Sequence, residues 1–287
     1  MKTFTIFTPT YNRAYIIEQL YDSLKKQTSN NFEWLIIDDG STDNTESLVQ
    51  DFIKENKISI NYIKQKNQGK HIAINTSIKY IKSEYLITVD SDDYLLPHAI
   101  STCESIVNEI NDKNEVAGFT FFNYLGKNDL DFSLYGKNKS YKQEEINLKI
   151  PGEMNIVFKK QILSNYLFPV YNDEKFCQES YIIVQIMDRY KILFTDHILE
   201  RGQYLEDGLT QNIYKRLLEN PKYALATLKI KYKSSHFSKI EKKGFAINFW
   251  DITLKTQAVH PLTQLFNFPL KGTLVYINYR ICKFCKI

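Results

Sequence analysis

Long hydrophobic runs are missing from this sequence: no stretch of its 287 residues approaches the roughly 20 apolar positions that a bilayer-crossing helix requires. Cysteine is scarce, with two isolated residues (Cys103 and Cys177) and two in the pattern CKFC (Cys282 and Cys285). That usage argues against a disulfide framework, and one CxxC without a second pair is a weak zinc or redox signal. The N-terminal MKTFTIFTPTYNRAY begins as a strand and lacks the cleavage pattern of a secretory leader, so a cytoplasmic setting is expected. Neither a G-x-x-x-x-G-K-[ST] loop nor a G-x-G-x-x-G turn is present, so a phosphate-bearing ligand would have to be held in another way. What is present is the composition of a folded protein, 43% hydrophobic and 14% aromatic, which excludes a disordered chain.

Charge is unevenly placed. The net charge is +4, yet residues 211–287 carry 14 Lys and Arg against 3 Asp and Glu, leaving the first 210 residues acidic. Aromatic residues interleave the basic ones, which suggests a negatively charged partner. No nucleic-acid recognition motif accompanies the charge, so nucleic acid is not expected. An anionic membrane surface is the simpler partner, with a merely solvated basic face as the alternative. On this reading the protein is peripheral to the cytoplasmic membrane.

The first ~120 residues alternate between two periodicities. Apolar, β-branched stretches at 3–8, 33–38, 58–63, 84–89 and 115–122 read as strands. Helical spacing lies between them: Ile16, Ile17, Leu20 and Leu24 within 14–27; Leu48, Val49, Phe52 and Ile53 within 43–55; Ile72, Ile74, Ile78 and Ile81 within 71–81. Pro97 suits the first turn of a fourth helix bearing Ile100, Ile106, Val107 and Ile110. Such alternation predicts an α/β fold with a mostly parallel, doubly wound sheet and helices on both faces, which binds ligands at the carboxyl ends of its strands. The polar, Asn/Lys/Gly-rich 123–150 reads as a loop or short hairpin over that edge. The predicted division is 1–210 (halves 1–122 and 123–210) followed by a basic helical extension, 211–287.

The polar segments TPTYNR (8–13), DDGSTDNT (38–45) and VDSDD (89–93) all fall after strands. In the second, Gly40 permits a tight turn and Ser41, Thr42 or Asp43 can cap a helix. A cap accounts for Asp43 but not for two consecutive carboxylates, Asp38 and Asp39, at a ligand-binding edge. NQGK (67–70) opens the third helix with Lys70 placed for a phosphate, or is an ordinary turn. VDSDD has three readings. An EF-hand would need Gly and Glu where Leu95 and Ser101 stand, and fails. A phosphatase with an Asp nucleophile would want its D-x-D on the first strand. The third is a hard-cation site in which carboxylates hold Mg²⁺ or Mn²⁺ against a nucleotide diphosphate.

TPTYNR, WLIIDDGSTDNT, NQGKHIAIN and VDSDD, in this order and spacing, resemble the family 2 glycosyltransferases with the nucleotide-sugar-binding GT-A (Rossmann-like) fold, particularly those of bacterial capsule, lipopolysaccharide or wall-polymer assembly. The likeness covers about the first 100 residues. It implies that Thr8, Pro9, Tyr11 and Arg13 line the nucleotide pocket, that Asp39 takes the base or ribose, and that Lys70 lies near the uracil or diphosphate. Asp90 and Ser91 would contact the nucleotide sugar, with Asp90 and Asp92 as the D-x-D pair. Asp92 is the first choice as metal ligand and Asp93 the alternative.

The same resemblance implies a catalytic base further on. EKFCQESYIIVQI offers Glu179, with Asp173 and Glu174 as competitors, and YLEDGLT (204–210) is similar to a downstream segment of the same subgroup. The bland reading of Glu179 is an acidic residue in a helix's first turn. The Q-x-x-R-W of processive synthases is absent, since QNIYKR (211–216) has no Trp, so one sugar per acceptor encounter is expected. The implied activity is an inverting, metal-dependent transfer from a nucleotide sugar, UDP-linked by preference, to a glycan or lipid-linked acceptor. Two alternatives are a nucleotidyltransferase making a nucleotide sugar, and a non-catalytic nucleotide-sugar or membrane-surface binding module.

Overall fold

The structure is a computed structural model that describes residues 2–126, 131, 134–145, 152–202 and 212–285. The alternation read from the sequence is realised as β1 (Phe4–Thr10), α1 (Ile17–Lys25), β2 (Phe32–Asp38), α2 (Thr45–Glu55), β3 (Ile60–Lys64), α3 (Lys70–Ser77), β4 (Tyr85–Thr88), β5 (Tyr94–Leu95), α4 (Ala99–Ile110) and β6 (Val116–Tyr124). Then follow β7 (Lys139–Ser140), β8 (Gly152–Lys159), α5 (Lys160–Leu163), α6 (Ser180–Met187), β9 (Lys191–Thr195) and β10 (Ile198–Arg201). Five helices close the chain: α7 (Ile213–Glu219), α8 (Pro221–Lys233), α9 (Lys239–Lys255), α10 (Pro261–Asn267) and α11 (Leu270–Cys285).

The main sheet order is β3-β2-β1-β4-β8-β6-β10-β5, with β9 on β6 and β7 on β9. β3, β2, β1 and β4 are parallel, as are β6, β9 and β10, while β8 lies antiparallel between β4 and β6. One long strand therefore opposes the common direction, in line with the mostly parallel reading. The described part of the expected 123–150 loop contains β7, which pairs with β9; residues 127–130, 132–133 and 146–150 lie outside the described residues.

β1 and β2 are buried on both faces because helices cover each side, which is why they read as near-continuous apolar runs. On one face Tyr21 of α1 stacks on Phe52 of α2 at 4.1 Å and on Trp34 of β2 at 6.1 Å between ring centroids. Each such ring removes enough apolar surface from water to stabilise the fold by about 2–3 kcal/mol. Register then levels the strand ends, with Thr10 opposite Asp38 and Asp38 opposite Lys64.

The chain forms two compact units, one of Met1–Leu167 with Tyr190–Glu206, the other of Phe168–Arg189 with Asp207–Ile287. The first holds the sheet. The second is helical, with a core of Ala224, Leu225 and Leu228 from α8, Ala246, Phe249, Trp250 and Ile252 from α9, then Phe268 and Tyr276. The helical character of the C-terminal extension is thus present, and a capping box between Ser238 and Glu241 starts α9. Segment 168–189, with α6, groups with these helices; a division at 210 places it with the sheet.

Candidate functional site

Three turns meet at the carboxyl edge of β1, β2 and β4. Beyond β1, Asn12 adopts a left-handed conformation (φ 53°), which Asn tolerates better than most residues. Its side-chain oxygen accepts from the Thr42 backbone N–H at 2.8 Å, and its own N–H donates to Ser41 Oγ at 2.9 Å. Arg13 N–H donates to Thr45 Oγ1 at 3.0 Å and Ala14 N–H to Asp43 Oδ2 at 3.1 Å. The TPTYNR turn is thereby clamped to the DDGSTD turn.

Asp38 is fully buried, its carboxylate accepting from Ser41 N–H at 2.6 Å and from the Tyr62 hydroxyl at 2.5 Å. Burial, then this carboxylate, pushes the Tyr62 hydroxyl's pKa up. Asp39, 5% exposed, accepts from Gln65 Nε2 at 2.8 Å, Gln68 N–H at 2.9 Å and Gly69 N–H at 2.7 Å. It orders the NQGK turn. Gly40 (φ 83°) belongs in this seam, because a Cβ there would lie 3.0 Å from Asn67 N.

Lys70, the first residue of α3, reaches across to Asp90, with Nζ 2.8 Å from Oδ2. The other oxygen, Asp90 Oδ1, is buried without a hydrogen-bond partner. Ser91 is buried. The Asp92 backbone carbonyl accepts from Gln19 Nε2 at 2.6 Å, fixing the turn to α1. The Asp92 carboxylate meets its own backbone N–H and bonds no other described side chain. Its pKa is raised by burial and then by the Asp90 charge, with Arg13 and Lys70 partly offsetting both.

Asp93 differs. Its Oδ2 accepts from Asn123 Nδ2 at 2.8 Å, and it shares a hydrogen bond with Glu200 of β10, which is 1% exposed. Asn155 of β8 donates to Glu200 Oε2 at 2.7 Å and to the Thr88 carbonyl at 2.6 Å. Burial, and then the charge of the Asp90 carboxylate, push the Asp93 pKa up to about 7, and burial followed by Asp93 pushes Glu200 well up. Two carboxylates in one buried site disfavour each other's ionisation. Gly202 lies so near that a Cβ there would fall 1.8 Å from Asp93 Oδ1.

The structure therefore brings together Arg13, Asp39, Lys70, Asp90, Ser91, Asp92 and Asp93, with Pro9 half-buried and Tyr11 46% exposed on the same edge. It turns Thr8 inward: that side chain is fully buried and accepts the indole N–H of Trp34 at 2.9 Å, so only the Thr8 backbone belongs to the edge. Sequence reasoning missed Asn12, Gln19, Asn123, Asn155 and Glu200. Asn12 alone carried a signal, being an Asn in a tight post-strand turn. Among the described residues, no group of three or more His, Cys, Asp or Glu converges as a ready-made metal cage.

Glu179 belongs to the helical unit, half-buried at the start of α6, with no side-chain cap bond. The competing carboxylates, Asp173 and Glu174, lie in the same unit. Asp173 pairs with Lys222 Nζ at 2.6 Å. Glu174, 5% exposed, accepts the Lys222 and Tyr223 backbone N–H groups at 2.8 and 3.0 Å, satisfying the start of α8; burial raises its pKa despite those bonds. YLEDGLT lies outside the described residues, as does the Cys285 side chain, and Cys282 faces Asn278 within α11.

The family model for glycosyl transferase family 2 matches residues 5–168, more than half of the chain. The chain belongs to glycosyl transferase family 2. A relative in Campylobacter jejuni, GalNAc(5)-diNAcBac-PP-undecaprenol beta-1,3-glucosyltransferase, is 30% identical over 191 residues, covering 65% of this chain and 60% of the relative. Glycosyltransferase GlyG of Streptococcus pneumoniae is 27% identical, covering 72% of this chain and 63% of GlyG. The chain thus spans a little over half the length of these two curated relatives. Among solved structures, Staphylococcus aureus TarS 1–349 in complex with UDP-GlcNAc superposes with a TM-score of 0.61 at 18% identity, covering 97% of this chain and 79% of that one. A mannosyltransferase from Pyrobaculum calidifontis in complex with GDP-Man and Mn²⁺ gives 0.57 at 16% identity, covering 98% and 80%. These likenesses establish the GT-A fold of family 2, including the mostly parallel sheet read from the sequence.

Proposed function

We propose that the chain is an inverting, metal-dependent, non-processive hexosyltransferase that moves a sugar from a UDP-sugar to a hydroxyl of a glycan or lipid-linked acceptor in bacterial surface-polysaccharide synthesis. The observation that carries this reading is the Asp92 carboxylate. It has no other described side chain bonded to it, and it stands beside the Lys70–Asp90 pair at the carboxyl edge of the parallel strands. The donor set is all hard oxygen, which suits Mg²⁺ or Mn²⁺; such ions take one or two protein carboxylates and fill the rest of their shell with substrate phosphates and water. Asp92 is the assigned ligand. Asp93, already engaged by Asn123 and Glu200, anchors the turn. When bound, the cation offsets the charge that builds on the departing diphosphate. Lys70 and Arg13 add positive charge at the same edge. Glu179 removes the proton from the acceptor hydroxyl as its oxygen attacks the anomeric carbon and the bond to the diphosphate breaks, inverting that centre.

An anionic membrane surface is the proposed partner of the basic C-terminal segment, on the cytoplasmic side. Among the described residues no helix is long and apolar enough to cross a membrane. A calorimetric screen of nucleotide sugars with and without Mn²⁺, followed by analysis of released product, tests the whole reading. Expected are a Mn²⁺-dependent UDP-sugar complex and released UDP, with Asp92→Asn losing the metal-dependent part of binding and Asp93→Asn keeping it. Release of pyrophosphate when UTP and a sugar 1-phosphate are supplied instead would mean a nucleotidyltransferase, and binding without any release a non-catalytic module. The reverse behaviour of the two Asp variants would move the metal to Asp93.

A further inference from the structure

The C-terminal helices carry an apolar face that no described residue of their unit covers. α10 and α11 are joined through Phe268, which is 3% exposed and stacks on Phe249 with ring centroids 4.0 Å apart. Gly272, Thr273 and Tyr276 of α11 are buried on the same side, and Tyr276 donates its hydroxyl to Asp251 of α9 at 3.0 Å. The other side presents Leu270, Leu274, Ile277 and Ile281, at i, i+4, i+7 and i+11, with exposures of 71%, 55%, 48% and 56%. On α10, Leu262 and Phe266 are 63% and 91% exposed, Phe266 only two residues from the buried Phe268. Single exposed apolar residues are ordinary, but six on two successive helices, four of them in one stripe on α11, are of the kind that marks an interaction surface.

Charge decides what the patch fits. Residues 252–287 contain no Asp or Glu, while Lys271 and Arg280 are exposed on α11 on either side of the stripe. A second copy of this chain would bring two such acid-free, basic-rimmed faces together, and like charge opposes that contact. An anionic lipid surface supplies the opposite charge around an apolar interior, which is the arrangement an interfacial amphipathic helix requires.

We infer that α10 and α11 form an interfacial membrane anchor, with their exposed apolar residues entering the acyl boundary and Lys271 and Arg280 meeting anionic headgroups. This rests on the membrane partner proposed above but not on the transfer reaction, so its failure and that of the glycosyltransferase reading are separable. The test is co-sedimentation of the full chain with vesicles of phosphatidylcholine containing phosphatidylglycerol, and with phosphatidylcholine alone. Wild type pellets with the first and far less with the second. Leu274→Ser with Ile277→Ser lowers the bound fraction about tenfold or more, at unchanged circular dichroism and unchanged UDP-sugar binding. Phe266→Ser, at a still more exposed position, gives a second reading should the double variant fold poorly. Lys271→Glu with Arg280→Glu also lowers binding. Wild type remaining in the supernatant, or the apolar variants pelleting undiminished, would overturn the inference. A wild-type dimer that the apolar substitutions convert to monomer, without vesicle binding, would assign the face to a second copy.

Discussion

Asp43 accepts from Thr45 N–H at 3.0 Å and Thr45 Oγ1 at 2.6 Å on one oxygen, and from Ala14 N–H at 3.1 Å on the other. It binds the first residue of α2 and ties two turns of the site together. Partial burial favours its neutral form, but those hydrogen bonds outweigh that and hold its pKa below the ordinary 3.8. The unfolded chain then binds the proton more readily, so Asp43 contributes stability in full above that ordinary value and loses it as pH falls through the lowered one. Urea midpoints measured from neutral pH down into this acid range are expected to fall less steeply for Asp43→Asn than for wild type, the variant being the less stable at neutral pH; parallel curves would show that the bonds do not favour the ionised form. At this scale the sequence was partly legible. Asp39 was read as a contact to a base or ribose; in the structure it accepts two backbone N–H groups of the NQGK turn and the side-chain amide of Gln65, because a carboxylate at a strand end is also the nearest acceptor for a neighbouring turn's N–H groups. Glu200 carried no sequence signal at all. Its partners Asp93, Asn123 and Asn155 are far apart in the chain, and only sheet register brings them together.

Elements with strong periodicity were read almost to their ends; β1, β2, β4 and β6 begin within a residue of the expected positions, since two-sided burial forces an uninterrupted apolar run. β8 was not read. GEMNIVFK mixes polar residues into its first half, where it is exposed or half-buried, and its antiparallel insertion depends on β4 and β6 already flanking it. Its last residue, Lys159, is 1% exposed and donates to the carbonyls of Ile110, Asn111 and Lys113 at 3.2, 3.4 and 3.1 Å. A strand residue thereby satisfies the exit of α4, where free carbonyls gather and a cation is favoured. Lys159→Met keeps the length and removes the donors, leaving buried acceptors unpaired. A loss of about 2–3 kcal/mol in denaturant-unfolding free energy is expected, against an unmoved midpoint for the exposed Lys54→Met. Equal behaviour of the two variants would mean that water replaces the ammonium.

For the molecule as a whole, the residues assigned to donor binding and the residue assigned to proton removal belong to different compact units. That grouping follows from burial: Cys177, Ile182, Val184 and Ile186 around α6 are apolar and buried, and Asn220 accepts the Lys175 and Phe176 backbone N–H groups at 2.7 and 3.0 Å, fastening the segment before α6 to the start of α8. Composition alone placed the boundary near 210, since basic charge changes there whereas the apolar partners of α6 leave no mark in a linear reading. The separation has a kinetic consequence. Removing the base while leaving the strand-edge turns intact should spare donor binding and remove chemistry. Glu179→Gln is therefore expected to keep the UDP-sugar dissociation constant within about twofold while turnover falls by roughly 10²–10⁴, the range a positioned general base supplies. Asp173→Asn, which breaks only the pair with Lys222, should leave both quantities close to wild type. Donor titration and initial-rate UDP release on the three proteins decide it. Near-wild-type turnover in Glu179→Gln would remove that residue from the mechanism, and a turnover collapse in Asp173→Asn at unchanged donor affinity would put the base there instead.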